Sequence, residues 1–224
     1  MTTTLVINYT PRKGSYTKIL FDEFVKLAKK KTKLIHLDLS QTPPDLLLTE
    51  NLKLIMEWNG GKRDFSESEL SVLSNHNGYI NQILRADNIV VAFPIYNFTL
   101  PATVKAWIDA IIVSDKTFSF NPERGFTGLC KGKKALSIIV SGFDYETSND
   151  VKEYGSSTIR QNFDFIGISS EQILAFGVDQ NRDELTSILD NAKSEIKKLV
   201  DSWFPNHIHS NNFHHQYQNA DKDI

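Results

Sequence analysis

Residues 88–101 read Asn88-Ile89-Val90-Val91-Ala92-Phe93-Pro94-Ile95-Tyr96-Asn97-Phe98-Thr99-Leu100-Pro101. The run from Ile89 to Phe93 is wholly apolar and rich in β-branched residues, as in a short strand buried on both faces. Pro94 has no N–H to extend a ladder, so the strand ends there. Pro101 suits the first turn of a helix, which Val104, Trp107, Ile108 and Ile111 continue at helical spacing. Between strand and helix lie two large aromatics in a loop.

The same alternation extends outward. Leu5-Val6-Ile7 reads as a strand, Ser15 to Lys30 as a helix with Leu20, Phe24, Leu27 and Ala28 on one face, and Leu34-Ile35-His36-Leu37 as a second strand. Strand, helix and strand within about forty residues form a parallel βαβ unit. Further strands are expected at residues 135–140 and 172–176, and further helices at 66–85, 151–165 and 185–203. Ser66 and Glu69 have the spacing of a capping box. The stretch 46–65 reads as loop and short helix. The pattern predicts an α/β fold: a doubly wound five-stranded parallel sheet with helices on both faces. One domain is expected over 1–204. Residues 205–224, rich in His and Asn, have few apolar anchors and are expected to lack a packed structure.

Composition narrows the function classes. The chain has 224 residues, a formal net charge of −2 and one cysteine, Cys130. An intramolecular disulfide is excluded, which fits a reducing cytoplasm. No leader-like segment opens the chain, and no apolar run approaches the roughly 20 residues of a membrane span. Neither nucleic acid nor a membrane surface is expected as a partner at this charge. Lys29 to Lys33 are basic but lie where cations stabilise a helix end. No metal site is expected, because the histidines of 207–215 are irregularly spaced with no supporting cysteine or carboxylate cluster.

In a doubly wound sheet, ligands bind beyond the carboxyl ends of the strands near a topological switch point. The loop Asn8-Tyr9-Thr10-Pro11-Arg12-Lys13-Gly14-Ser15-Tyr16-Thr17 fits neither the Gly-x-x-x-x-Gly-Lys-Ser/Thr nor the Gly-x-Gly-x-x-Gly pattern. It is a hydroxyl-rich lead into a helix start, suited to the phosphate of a mononucleotide. The alternative is that Ser15 only caps the helix. The loop after Pro94 offers an apolar wall for a flat ring, with the Asn97 and Phe98 N–H groups free to reach its polar edge. The alternative there is an aromatic turn tucked into the core.

With Pro94-Ile95-Tyr96-Asn97-Phe98 on the page, the chain resembles the FMN-dependent NADH azoreductases and quinone reductases of the flavodoxin-like superfamily. That family carries Pro-Met-Tyr-Asn-Phe at this place. Leu37-Asp38-Leu39, Lys105-Ala106-Trp107-Ile108-Asp109, Thr117-Phe118-Ser119-Phe120, Gly132-Lys133-Lys134-Ala135 and Phe165-Ile166-Gly167-Ile168 are similar too, in the family's order over residues 3–203. The resemblance implies a flavodoxin-like fold, bound FMN, NADH or NADPH as electron donor, a quinone or azo acceptor, and a homodimer. It places cofactor contacts at Thr10, Ser15, Tyr16, Thr17, Pro94, Ile95, Tyr96, Asn97, Phe98, Ser141, Gly142, Phe143 and Asp144. Phe118 and Phe120 are candidates for a substrate wall, or for packing within a small hairpin. The family usually has Ser-Arg-Gly-Gly after the fourth strand. Here Ser141 matches, but Gly142-Phe143-Asp144 replaces the rest. An inward carboxylate would oppose negative charge on a reduced flavin, so Asp144 is expected to face solvent. No residue is assigned as nucleophile or general base, since FMN would carry the chemistry. Two rival readings are a flavodoxin-type carrier of single electrons and a non-catalytic FMN-binding module.

Overall fold

Alternate residues of each central strand face opposite sides, and the two sets are apolar. Leu5, Ile7, Ile89, Val91 and Phe93 join one core cluster, while Val6, Val90, Ala92, Leu136 and Ile138 join another. Both faces must therefore be covered, which is the condition for a parallel sheet. The computed structural model describes residues 1–148 and 150–205. The strands are β1 (Thr3–Asn8), β2 (Lys33–Asp38), β3 (Asn88–Pro94), β4 (Phe118–Asn121), β5 (Gly125–Gly128), β6 (Lys134–Val140) and β7 (Ser169–Ala175). The helices are α1 (Tyr16–Ala28), α2 (Thr49–Asn59), α3 (Glu67–Val72), α4 (Ser74–Arg85), α5 (Ala102–Ile111), α6 (Gly155–Phe165) and α7 (Leu185–Trp203), with one 3₁₀ turn at Arg182–Glu184.

The main sheet has five strands in the order β2-β1-β3-β6-β7, all parallel. Counting sheet strands only, this is the 2-1-3-4-5 order of flavodoxin-like folds, as expected from the sequence. The chain moves outward from β1 to β2, then crosses back to β3, so the switch point lies between β1 and β3. Register brings the carboxyl ends level: Asn8 pairs with Ala92, and Pro94 with Val140, which pairs with Ala175. Leu20, Phe21 and Phe24 of α1 and Leu189, Ala192 and Ile196 of α7 cover one face. Ile83 of α4, Val104, Trp107 and Ile108 of α5, and Ile159 and Phe163 of α6 cover the other. Each such Leu, Ile or Phe contributes about 1.5–3 kcal/mol by its burial.

Three sequence expectations are refined or corrected. The stretch 46–65 contains a full helix, α2, whose Leu54, Ile55 and Trp58 form a satellite cluster with Leu73, Ile80 and Val113. Residues 66–85 form two helices, not one. The capping box of Ser66 and Glu69 opens α3, and the chain turns at Leu73, fully buried in that satellite cluster. The fifth sheet strand also starts earlier than read, at Ser169. β4 and β5 form a separate antiparallel hairpin. No described helix is long and apolar enough to cross a membrane, and no metal-binding cluster occurs among the described residues. The reading of residues 205–224 falls, except for Pro205, outside the described residues.

Candidate functional site

Asn8, the last residue of β1, is buried and donates its amide to Thr10 Oγ1 at 3.0 Å. Thr10 therefore accepts from below and keeps its own proton for the space above. Beside Asn8, its register partner at the end of β2 is Asp38. Partial burial pushes the Asp38 carboxyl up, but hydrogen bonds from Ser40, Asn8 and Gln41 outweigh it and hold the group below its ordinary range. Gly14 turns the chain with φ +74°. Ser15 then caps α1, its Oγ accepting from the Lys18 N–H at 3.3 Å. Ser15 and Thr17 are 8% and 1% exposed. The N–H groups of Tyr16 and Thr17, at the positive end of the helix dipole, have no partner among the described residues. Hydroxyls and unpartnered N–H groups thus meet at the start of α1.

After β3, Tyr96 and Thr99 bond reciprocally, Tyr96 N–H to Thr99 O at 2.9 Å and Thr99 N–H to Tyr96 O at 3.1 Å. Asn97 and Phe98 between them have φ of 47° and 69°. A two-residue loop with both φ positive is a type I′ turn, normally the territory of Asn and Gly. Phe98 adopts it at a cost of about 1–2 kcal/mol. The turn leaves the N–H groups of Asn97 and Phe98 without an acceptor among the described residues. Tyr96 and Phe98 remain 44% and 50% exposed. So the aromatics are not tucked into the core. Tyr96 stands edge-on to Tyr9 with centroids 6.3 Å apart, and Phe98 edge-on to Tyr145 at 6.4 Å.

The loop after β6 is pinned by the loop after β7. The Gly142 carbonyl accepts from Asp179 N–H at 3.1 Å and Gln180 N–H at 2.9 Å. Phe143 N–H donates to Ser141 Oγ at 3.1 Å, and Asp144 N–H to Gln180 Oε1 at 3.0 Å. Of residues 142–144, only Gly142 keeps a backbone donor with no partner among the described residues. The Asp144 carboxylate accepts from Glu146 N–H at 3.0 Å and Thr147 Oγ1 at 2.9 Å. It is held by its own loop rather than aimed at a ring.

A cleft of about 210 Å³ opens where these loops meet. Thr10, Ser15, Tyr16 and Thr17 line one end, Pro94, Ile95 and Tyr96 the floor and side, and Gly142 the other end. Asn97, Phe98, Ser141, Phe143 and Asp144 flank it without lining it. Phe118 and Phe120 lie apart, in the β4–β5 hairpin, where Phe118 packs on Phe126 and Phe165 and Phe120 is 57% exposed. Arg12, Val140, Val178 and Asp179 also line the cleft and were not expected. Arg12 stood within the first loop, beside the hydroxyls. A larger cleft of about 340 Å³ beside Lys134, Ser169 and Trp203 sits at the amino ends of β6 and β7.

The profile of a family described as flavodoxin-like fold matches residues 2–200. The FMN-dependent NADH:quinone oxidoreductase of Azotobacter vinelandii is 30% identical over 205 residues, covering 89% of this chain and 100% of the relative. The chain belongs to the flavodoxin-like FMN-dependent NADH:quinone oxidoreductase family. A member from Gluconacetobacter diazotrophicus is 33% identical over 123 residues, spanning 54% of this chain but only 61% of that relative's length. The crystal structure of an azoreductase from Bacillus anthracis superposes with a TM-score of 0.82, covering 90% of this chain and 100% of the other. At 24% identity that likeness establishes the fold. The Gly142-Phe143-Asp144 loop is held in part by Gln180, whose side chain accepts from the Asp144 N–H.

Proposed function

We propose that this chain binds FMN, accepts hydride from NADH or NADPH, and passes two electrons to a quinone or, more slowly, to an azo compound. The observation that carries this is the meeting, at one cleft, of the hydroxyl-rich helix start with Pro94, Ile95 and Tyr96, flanked by the turn whose Asn97 and Phe98 N–H groups have no partner among the described residues. The named activity of the Azotobacter relative, matched along its whole length, supports the same reading.

FMN, when bound, supplies the two-electron chemistry. The chain's residues bind and orient. Thr10, Ser15 and Thr17 offer hydroxyls, and Tyr16 and Thr17 backbone N–H groups, to the phosphate. Asn97 and Phe98 present N–H groups to the polar edge of the ring, while Tyr96 and Phe98 wall its apolar part. Pro94 and Ile95 shape the floor. Ser141 holds the Phe143 N–H and so fixes the loop that ends in Asp144. No nucleophile is assigned. The thiol of Cys130 is buried and its pKa pushed up by that burial.

The cleft is small against the roughly 300–1,000 Å³ of most small-molecule sites, so one chain leaves the outer ring face open. A second copy is the proposed lid, giving a homodimer with Phe118 and Phe120 contributing to the substrate wall. Donor and acceptor would then use one face in turn, a ping-pong cycle. The lone buried thiol suits a cytoplasmic protein.

Stopped-flow mixing of FMN-loaded protein with NADH tests the reading. We expect the flavin absorbance to bleach within a turnover time and to return on adding a quinone. Bound FMN that NADH leaves oxidised would make this a binding module, and return of the absorbance by single-electron steps only would make it a flavodoxin-type carrier.

A further inference from the structure

The cleft lining combines several donors with a single carboxylate. Thr10, Ser15, Thr17, the free N–H groups of α1 and Arg12 can all donate. Asp179 can only accept. Its carboxylate has no hydrogen-bond or ion-pair partner among the described residues, although its backbone is fixed by the Gly142 carbonyl at 3.1 Å. The fit is close. A Cβ built on Gly142 would come within 2.7 Å of Asp179 Oδ2 and 3.2 Å of Asp179 Cβ, so the carboxylate lies directly over the end of β6.

Position along the cleft decides what Asp179 meets. β1 and β6 both pair with β3, so their ends are two strand spacings apart, about 10 Å. A phosphate held at Thr10, just past the end of β1, is therefore separated from a carboxylate seated over Gly142, just past the end of β6. The part of a mononucleotide that spans this interval is its polyol linker, whose hydroxyls need acceptors. Resting on the FMN reading above, we infer that Asp179 accepts hydrogen bonds from the ribityl hydroxyls and is a specificity-determining residue for the polyol.

Fluorescence-quenching titrations of Asp179→Ala with FMN and with riboflavin test this. Loss of a hydrogen bond to a charged acceptor should raise the FMN Kd about tenfold or more. Riboflavin, which shares the polyol but lacks the phosphate, should weaken by the same factor. Asp179→Asn keeps a carbonyl acceptor and should fall between wild type and alanine. The unfolding midpoint of the flavin-free protein should not move. Unchanged or tighter FMN binding by the alanine variant would overturn the inference, because the carboxylate would then face the phosphate or nothing. So would weakened FMN with unaltered riboflavin, or a lowered midpoint that accounts for the lost affinity. Failure of the wild-type protein to quench FMN would instead defeat the FMN reading itself.

Discussion

The backbone N–H of Tyr154 donates to the carbonyl oxygen of Phe98 at 2.7 Å, tying the start of α6 to the type I′ turn after β3. The next residue, Gly155, is buried against that turn. A Cβ there would lie 2.7 Å from Ile95 Cδ1 and, more seriously, 2.9 Å from the Leu100 backbone nitrogen. Ile95 can change rotamer; the backbone cannot yield without moving the turn. Gly155→Ala should therefore destabilise by about 1–3 kcal/mol, as overpacking does, and weaken FMN binding by displacing Asn97 and Phe98. Thermal unfolding and FMN titration of one preparation check both. An unaltered midpoint with unaltered affinity would mean that α6 does not position the turn.

Ser15 has two roles that a double variant separates. It caps α1 through the Lys18 N–H, and it lines the cleft. Ser15→Ala alone should cost about 0.5–2 kcal/mol of stability through the lost cap. With Thr17→Ala added, FMN affinity should fall further, since each hydroxyl bond to a charged phosphate contributes roughly 1.5–3 kcal/mol. Turnover of the saturated protein should change less than affinity. If the double variant melts earlier yet binds FMN normally, Ser15 is a helix cap and nothing more.

The strands and the switch point were legible because buried parallel strands have a plain signature: Ile89 to Phe93 carry no charge, and Pro94 marks the end. The hydroxyls at the start of α1 were legible as a group, although Ser15 alone reads equally as a helix cap. α2 was not. Its N-cap is Leu48, whose N–H is satisfied from inside the helix by Asn51 Oδ1 at 2.7 Å, so no Ser, Thr or Asp flags the start. The break between α3 and α4 has no Gly or Pro either. Packing of the fully buried Leu73 imposes it, and only tertiary contacts could reveal that. Asp179 was missed for a similar reason. It reaches the cleft through a pairing between two loops, and nothing near it in sequence announces Gly142 as its partner.

His76 of α4 supplies a pH prediction. It is 2% exposed and neither ring nitrogen has a hydrogen-bond partner among the described residues. Burial lowers its pKa below 6.5, only partly opposed by the Asp45 charge. A base whose folded pKa is depressed favours the folded state above the unfolded value, and that stability is lost as pH falls from 6.5 toward the folded pKa. The loss should approach 1.4 kcal/mol per pH unit at most, about one proton's worth. Carboxylates such as Glu69, held down to about 2 by Lys62 and the Ser66 N–H, act at lower pH. Urea melts between pH 7.5 and 5.5 should show the decline in wild type and a flatter profile in His76→Leu. Parallel profiles would show that His76 is not the titrating group.

The loop after β6 sets the final expectation, for acceptor preference. Reduction of a flavin builds negative charge at the edge this loop would face, where donors stabilise it. Asp144 does not oppose that charge, since its carboxylate is occupied by Glu146 and Thr147. Yet the Phe143 and Asp144 N–H groups are also occupied, leaving Gly142 as the one backbone donor of the three. A quinone takes two electrons onto oxygen in a single downhill step. Azo cleavage needs two rounds and protonation of the N=N unit, with more help from the site. Quinones should accordingly exceed azo dyes in kcat/KM by at least about tenfold, 1.4 kcal/mol in the barrier. If donor and acceptor share one ring face, initial rates at varied NADH should give parallel reciprocal plots for either acceptor. Intersecting plots would mean that both bind together, which the single cleft between Thr10 and Gly142 does not accommodate. Azo dyes that match quinones would mean that the second chain, rather than this loop, supplies the missing donors.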